Sequence, residues 1–537
     1  MTRRTADAST DREPARRFTA PRRSRRALAA SVVLVPALLL SGCVPAWLQG
    51  LVGGGITSTP TGEEVAPELK PYYSQILTWT GCGGGAQCTT ATAPLDWDNP
   101  GAGEDIQLAL VRHPATGTAQ GSLFINPGGP GASGFDFVRD SVDFAVSVDL
   151  QREFDIVGWD PRGVGRSSAV TCYEDPAELD AFIFGIPEAE FGTAEWEEEV
   201  TTSSIAFGER CAELTGPLLG HVDTASTVRD LDMLRAIVGD PQLNYFGYSY
   251  GTDIGARYAD AFPDKVGRLV LDGATDPTTS TFEVVLAQSV GFENALRAYL
   301  AACPELGECP FPNDVDESLL LIRELFDRLN ESPIEGADGR LFDGAVLDIA
   351  IATALYDEGS WSYLNQMFAE LRTGIVDTGF LLADFYYGRE GGEYIDNSLE
   401  AFIAINCLDY PVETDRAVIA EQNARLLEAA PTLTSPSPLG DVLCANWPHQ
   451  FDGELGPVEG EGAAPIVVIG TTGDPATPIQ WAEALAEQLE SGVLLTWVGE
   501  GHIAYDEGDP CINDAVDAYF IEGTVPDDGL VCDPTAG

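Results

Sequence analysis

From about residue 105 onward, short apolar runs alternate with amphipathic stretches. Residues 106–112, 122–126, 154–159, 242–246 and 268–271 form compact apolar runs, the pattern of mostly buried strands. Val228, Leu231, Leu234, Ile237 and Val238 recur at helical spacing, and 252–262 reads as a second helix that stops before Pro263. Strand–helix alternation predicts a mostly parallel sheet covered on both faces. Between about 276 and 460 long helical stretches take over, among them 281–302, 316–330 and 415–430. Alternation resumes at 466–470, continues at 493–498 and ends in a helix near 513–521. The expected fold class is α/β. One domain, with parts at 76–275 and 461–537, is interrupted by a helical insertion at 276–460. No repeat with a period of 20–50 residues is visible.

The amino terminus reads as an address. Residues 1–26 are polar and carry nine arginines, and residues 27–40 hold no charge. That stretch falls short of the ~20 apolar residues a spanning helix needs and has the flanks of a signal peptide. It ends in Leu40-Ser41-Gly42-Cys43, which resembles the bacterial lipoprotein cleavage box, with Cys43 the lipidated residue. Arg25-Arg26 loosely resembles a twin-arginine signal. Residues 1–42 are therefore expected to be a lipoprotein signal, and 43–75 a tether rich in Gly, Thr and Pro. The protein is expected to be exported, either held at the outer face of the cell membrane by its lipid or secreted.

Charge narrows the partners. Acidic residues number 85 against 29 basic ones, a net charge of −56, and lysine occurs only at Lys70 and Lys265. Duplex binding needs basic side chains to displace counterions, so nucleic acid is a poor partner. Anionic headgroups are repelled, which leaves a lipid anchor as the expected membrane contact. Cationic ligands such as free amino termini are attracted, weakly at physiological salt. Eleven cysteines include Cys43. The other ten are an even number, as in an oxidising compartment, and pairing of neighbours is the simplest arrangement. Cys-x-x-Cys is absent and only four histidines occur, so no zinc site and no other cofactor is expected.

The chemistry is concentrated in a few positions. Gly247-Tyr248-Ser249-Tyr250-Gly251 follows an apolar run and opens a helical one, the setting in which Gly-x-Ser-x-Gly projects a nucleophile. On an α/β-hydrolase sheet the order is Ser, acid, His. His113 and His221 precede Ser249, His449 lies in the insertion, and His502 follows the last strand in Gly-Glu-Gly501-His502. His502 is thus the expected base. Asp474, in Gly473-Asp474-Pro475, is the favoured acid, with Thr477 able to bond its carboxylate. Asp272, at the end of the strand after the nucleophile, is the competing acid, or a turn or pocket-floor residue. The loop Asn126-Pro127-Gly128-Gly129-Pro130-Gly131 is suited to an oxyanion hole. Pro130 lacks an N–H, so Gly129 and Tyr250 are the expected donors. No Lys-Ser/Thr follows the glycines, which excludes a P-loop.

These motifs occur together in one order: Asn126–Gly134 (NPGGPGASG), Gly158–Ser167 (GWDPRGVGRS), Gly247–Gly251 (GYSYG), Leu271–Gly273 (LDG), Gly473–Pro478 (GDPATP) and Gly501-His502. The set resembles the secreted tripeptidyl aminopeptidase family of actinobacteria, a branch of the prolyl-aminopeptidase-like serine hydrolases. The likeness covers roughly residues 75–535, and 430–535 resembles the carboxy-terminal region named after these peptidases. It implies an α/β-hydrolase fold with a large helical lid insertion. The implied triad is Ser249, Asp474 and His502, with Gly129 and Tyr250 as oxyanion donors. Asp160 and Arg162 match a family loop and are expected to be structural. The implied activity is release of short peptides, often three residues, from substrates with a free amino terminus. That requires a carboxylate at a fixed distance from the serine. Asp409 and Glu413, in the insertion, are the candidates.

Overall fold

The computed structural model describes residues 55–434, 436–505 and 510–534. The signal segment, Cys43 and the start of the tether lie outside them. Eleven strands of the described residues form one sheet. They are β1 (Ile56–Thr57), β2 (Thr78–Gly83), β3 (Ala86–Ala93), β4 (Ile106–His113), β5 (Ser122–Asn126), β6 (Asp155–Trp159), β7 (Leu243–Tyr248), β8 (Val266–Asp272), β9 (Ile466–Gly473), β10 (Gly492–Glu500) and β11 (Leu530–Cys532). Their spatial order is β1-β2-β3-β4-β6-β5-β7-β8-β9-β10-β11. Pairing is antiparallel from β1 through β4 to β6 and parallel from β6 to the far edge.

The central strands are apolar throughout because helices cover both faces. Phe124 of β5 points into one layer, with Leu231 and Leu234 of the helix Thr224–Val238 and Leu485 of the helix Ile479–Gln488. Its neighbours Leu123 and Ile125 point into the other, with Val138 of the helix Gly134–Ala145 and Phe520 of the helix Pro510–Glu522. This alternation is the period of two along a strand.

Residues 55–75 are not a free tether. Tyr72 and Tyr73 are buried, the Tyr73 hydroxyl donates to Asp232, and Glu63 pairs with the fully buried Arg235 at 2.9 Å. Two adjacent tyrosines and an ion pair hold a stretch whose Gly, Thr and Pro content suggested a linker.

Between β8 and β9 the chain is mainly helical, with a third core of its own around Leu296, Ile322, Leu347, Leu364 and Phe368. Helices from before the nucleophile join it. Phe184, on the helix Pro176–Phe184, packs into that third core, and Asp180 holds Arg389 of the insertion by two bonds of 2.8 Å. The Glu400 carboxylate accepts from the N–H groups of Cys172 and Tyr173, and the Asn397 amide donates to the carbonyls of Gly163 and Val170. Disulfides join Cys82–Cys88, Cys172–Cys211, Cys303–Cys309, Cys407–Cys444 and Cys511–Cys532, the neighbour pairing expected. Among the described residues no helix is long and apolar enough to cross a membrane.

Candidate active site

Ser249 stands between β7 and the helix Gly251–Ala261 with φ of +54°, a backbone region that non-glycine residues rarely occupy. Strain of this kind persists only where the surroundings fix it. Here the Ser249 N–H donates to the Asp272 carbonyl at 2.9 Å, and its carbonyl accepts from Thr252 N–H at 2.8 Å. The glycine loop after β5 lies directly against this turn. Gly128 has φ of +95°, and a Cβ there would sit 2.9 Å from Ser249 Cβ and 3.0 Å from Tyr250 N. The Gly128 N–H is already taken by Asn126 Oδ1 at 2.9 Å.

Asp474 directly follows β9 in a tight turn and is 3% exposed. Its Oδ1 accepts from the N–H groups of Ala476 and Thr477 at 2.9 and 2.8 Å, and its Oδ2 from Thr477 Oγ1 at 2.8 Å. His502 Nδ1 lies 3.0 and 2.9 Å from the two oxygens. A carboxylate with this many donors is fixed in place and in turn fixes the imidazole. With Nδ1–H donating to Asp474, Nε2 is the acceptor. Burial pulls the His502 pKa down, but the Asp474 charge and hydrogen bond outweigh it and leave the imidazole above its ordinary value. Ile503, next in the chain, has φ of +71° and aims its N–H at Asp474 Oδ2, 3.3 Å away.

Three comparisons with known proteins bear on this geometry. Residues 430–532 match the family described as TAP-like protein. The chain is 36% identical to serine protease Hip1 of Mycobacterium tuberculosis, over 92% of this chain and 95% of that one. It is 31% identical to tripeptidyl aminopeptidase of Streptomyces lividans, over 84% of each. The chain belongs to the tripeptidyl aminopeptidase family. It is a serine hydrolase of the α/β-hydrolase fold. A protein of Mycobacterium tuberculosis named carboxylesterase B is equally similar, 36% identical over 95% of this chain and 99% of that one.

Within this member of the family, Asp272 does something the sequence did not reveal. Its carboxylate does not hydrogen-bond His502, although the two groups are close enough to interact electrostatically. It accepts from Ala504 N–H at 3.1 Å and Tyr505 N–H at 2.8 Å. One residue therefore joins both sides of the site: its carbonyl holds the serine turn, and its carboxylate holds the histidine loop. Burial pushes this carboxyl up to about 6, although the two N–H groups and His502 pull the other way. Gly273 beside it has φ of +66°, and a Cβ there would lie 3.2 Å from His502 Cε1 and 3.1 Å from Thr477 Oγ1.

The insertion reaches the same loops. The Tyr356 carbonyl accepts the His502 N–H at 2.8 Å, and its ring meets the imidazole edge-on with centroids 5.3 Å apart. Gln288 Nε2 donates to the Ala476 carbonyl at 2.9 Å. Neither residue has a motif that would have flagged it.

Asp409 lies behind Tyr250. Thr224 donates to it through N–H at 2.9 Å and Oγ1 at 2.6 Å, and the same hydroxyl bonds the Tyr250 hydroxyl. Burial pushes Asp409 up to about 7. Glu413 is exposed and accepts from Asp415 N–H in its own turn. Both candidate amine ligands thus have local partners. Asp160 caps the helix Gly134–Ala145 through Ser133 and Phe135 N–H, and the fully buried Arg162 makes paired bonds to Asp230. Among the described residues no group of His, Cys, Asp and Glu is arranged to hold a metal.

Proposed function

We propose that this protein is a serine exopeptidase that releases short peptides, tripeptides above all, from free amino termini through an acyl-enzyme. The bond between Asp474 and His502 beside the strained Ser249 turn is the observation that supports it most. In this reading His502 Nε2 takes the Ser249 proton as Oγ attacks the carbonyl of the third residue. The same nitrogen returns that proton to the departing amine. Asp474 keeps the Nδ1 tautomer and offsets the imidazolium charge. The N–H groups of Gly129 and Tyr250 stabilise the tetrahedral oxyanion. Gly129 is preferred over Gly128 because the Gly128 N–H is bonded to Asn126. Water then repeats the sequence on the acyl-enzyme.

The names of the relatives favour peptides as substrates, and a net charge of −56 favours a cationic terminus. The five disulfides fit an oxidising compartment. The helical insertion serves as the lid, and Cys43 as the lipid anchor of an exported protein. A carboxylesterase is the second reading, carried by the relative of that name.

The test is the initial rate on Ala-Ala-Pro p-nitroanilide, free and N-acetylated. Cleavage of the free form alone, with the intact tripeptide released, supports the proposal. Equal rates on both forms sink the requirement for a free terminus. Cleavage of p-nitrophenyl esters and of neither anilide favours the esterase.

A further inference from the structure

The helix Gly344–Leu355 of the insertion is almost wholly apolar, yet it carries one carboxylate in mid-course, Asp348. Among the described residues this carboxylate has no hydrogen bond and no ion pair. Burial alone pushes this carboxyl up to about 7, so its anion is disfavoured here unless a cation pairs with it. Its place in the helix indicates which ligand. Val346, Leu347, Ala350, Ile351, Ala354 and Leu355 are buried in the insertion's core. Asp348, Ile349, Ala352, Thr353 and Tyr356 are half-buried, and their spacing puts them on one face. That face runs to the triad, because Tyr356 at its end touches the His502 ring and holds the His502 N–H. Tyr386 flanks the same path. It is 42% exposed, and its hydroxyl is close enough to Asp348 and to Tyr356 for each pair to interact electrostatically.

Distance fits a short peptide. Asp348 precedes Tyr356 by eight positions, about 12 Å of helix at ~1.5 Å per residue. Three residues of extended chain span about 10 Å. A charge-assisted bond from ammonium to carboxylate adds about 2.8 Å. A substrate whose third carbonyl lies beside His502 therefore brings its first nitrogen to Asp348. A single residue in that position falls short by roughly two residue lengths.

We propose that Asp348 binds the ammonium of the substrate's amino terminus, and that the half-buried face from Asp348 to Tyr356 measures the length of peptide released. This rests on the exopeptidase reading above and replaces Asp409 and Glu413 as the anchor, since those carboxylates have partners within the fold.

The experiment compares wild type with Asp348→Asn, which keeps the shape and removes the charge. The substrates are free and N-acetylated Ala-Ala-Pro p-nitroanilide and p-nitrophenyl acetate, which has no amine. The expected result is a loss in kcat/KM of about 10- to 100-fold on the free anilide, carried mainly by KM. Hydrolysis of p-nitrophenyl acetate and labelling by a fluorophosphonate should stay within twofold of wild type. Thermal melting at pH 8 should be unchanged or higher, because a carboxylate whose anion burial disfavours has been removed. Asp348→Glu, which restores the charge on a longer stem, should recover part of the activity. If wild type prefers the free anilide and Asp348→Asn keeps that preference, the anchor is elsewhere and this inference alone fails. If wild type shows no preference, the exopeptidase reading fails and takes the anchor with it.

Discussion

Asp272→Asn separates the chemistry of the site from its stability, with opposite signs. The carboxylate is fully buried and accepts from the N–H groups of Ala504 and Tyr505, which follow His502. Asparagine can set its oxygen where Oδ2 accepts from both N–H groups, but its NH2 then stands in the place of Oδ1, 3.1 Å from Ala504 N, donor against donor. A displacement of about 1 Å at a catalytic group costs on the order of 100-fold in rate. We therefore expect kcat to fall about 100-fold on the tripeptide anilide, with KM little changed. Stability should move the other way with pH. In the folded protein this carboxyl is raised to about 6 by burial, against about 3.9 in an unfolded chain, a difference of roughly 3 kcal/mol. A raised carboxyl pKa means that the fold favours the neutral form. The cost is absent below about pH 4, grows between the two pKa values and is complete above about pH 6. Asparagine never ionises and escapes it. Melting of the two proteins at pH 4 and pH 7 should shift their stability difference in the variant's favour by about 3 kcal/mol as pH rises. A variant with kcat within threefold of wild type, or a stability difference that ignores pH, would refute the linking role given to Asp272.

Ser249→Ala should abolish fluorophosphonate labelling and lower kcat by about 10⁶-fold while the protein stays folded; residual labelling would place the nucleophile elsewhere. Asp474→Asn should cost about 10⁴-fold in kcat, far more than Asp272→Asn; the reverse order would exchange the roles of the two aspartates. The rate should fall as pH drops and His502 gains its proton, with an apparent pKa above about 6.5 because Asp474 raises the imidazole. A limb below 6 would mean that Asp474 does not hold the ring in solution. Gly273→Ala forces a side chain into left-handed backbone against His502 Cε1, so activity should drop at least tenfold and stability by about 1–3 kcal/mol; an active, stable variant would show that this approach is not needed.

What could be read from the chain was what depends on short-range pattern. Ser249 sits in a five-residue turn whose strand and helix are adjacent in sequence, and His502 was left once chain order removed His113 and His221 and the insertion accounted for His449. Asp474 was favoured because it follows the strand at 466–470 and lies between Ser249 and His502 in chain order, and the structure gives its turn donors from Ala476 and Thr477 nearby. Asp272 was harder because its carboxylate bonds backbone N–H groups more than 200 positions away, and a backbone donor leaves no mark in a sequence. The same holds for Tyr356, whose carbonyl rather than its ring fixes the histidine loop. The helix Pro176–Phe184 was not singled out from the sequence, and its place in the insertion's core could not be read there, since periodicity says which face is apolar and not what covers it. Residues 55–75 misled by composition. A few Gly, Thr and Pro residues outvoted Tyr72, Tyr73 and Glu63, whose partners Asp105, Asp232 and Arg235 lie farther along the chain.

Strands β8 and β9 are parallel neighbours, with Asp272 opposite Ile469. Parallel neighbours require a crossover of a dozen or more residues in any case. Here that obligatory connection has grown to hold a whole helical layer, and each doubling of a closed loop adds only about 0.6 kcal/mol. Lengthening, trimming or rebuilding it leaves the strand register untouched, and with it the positions of Asp272 and Asp474. The scaffold is modular in an evolutionary sense: most of the part that meets the substrate can drift at little thermodynamic penalty, provided the bonds from Tyr356 and Gln288 to the catalytic loops are kept. Two relatives at the same 36% identity, one named a serine protease and the other a carboxylesterase, are the kind of divergence such an architecture permits.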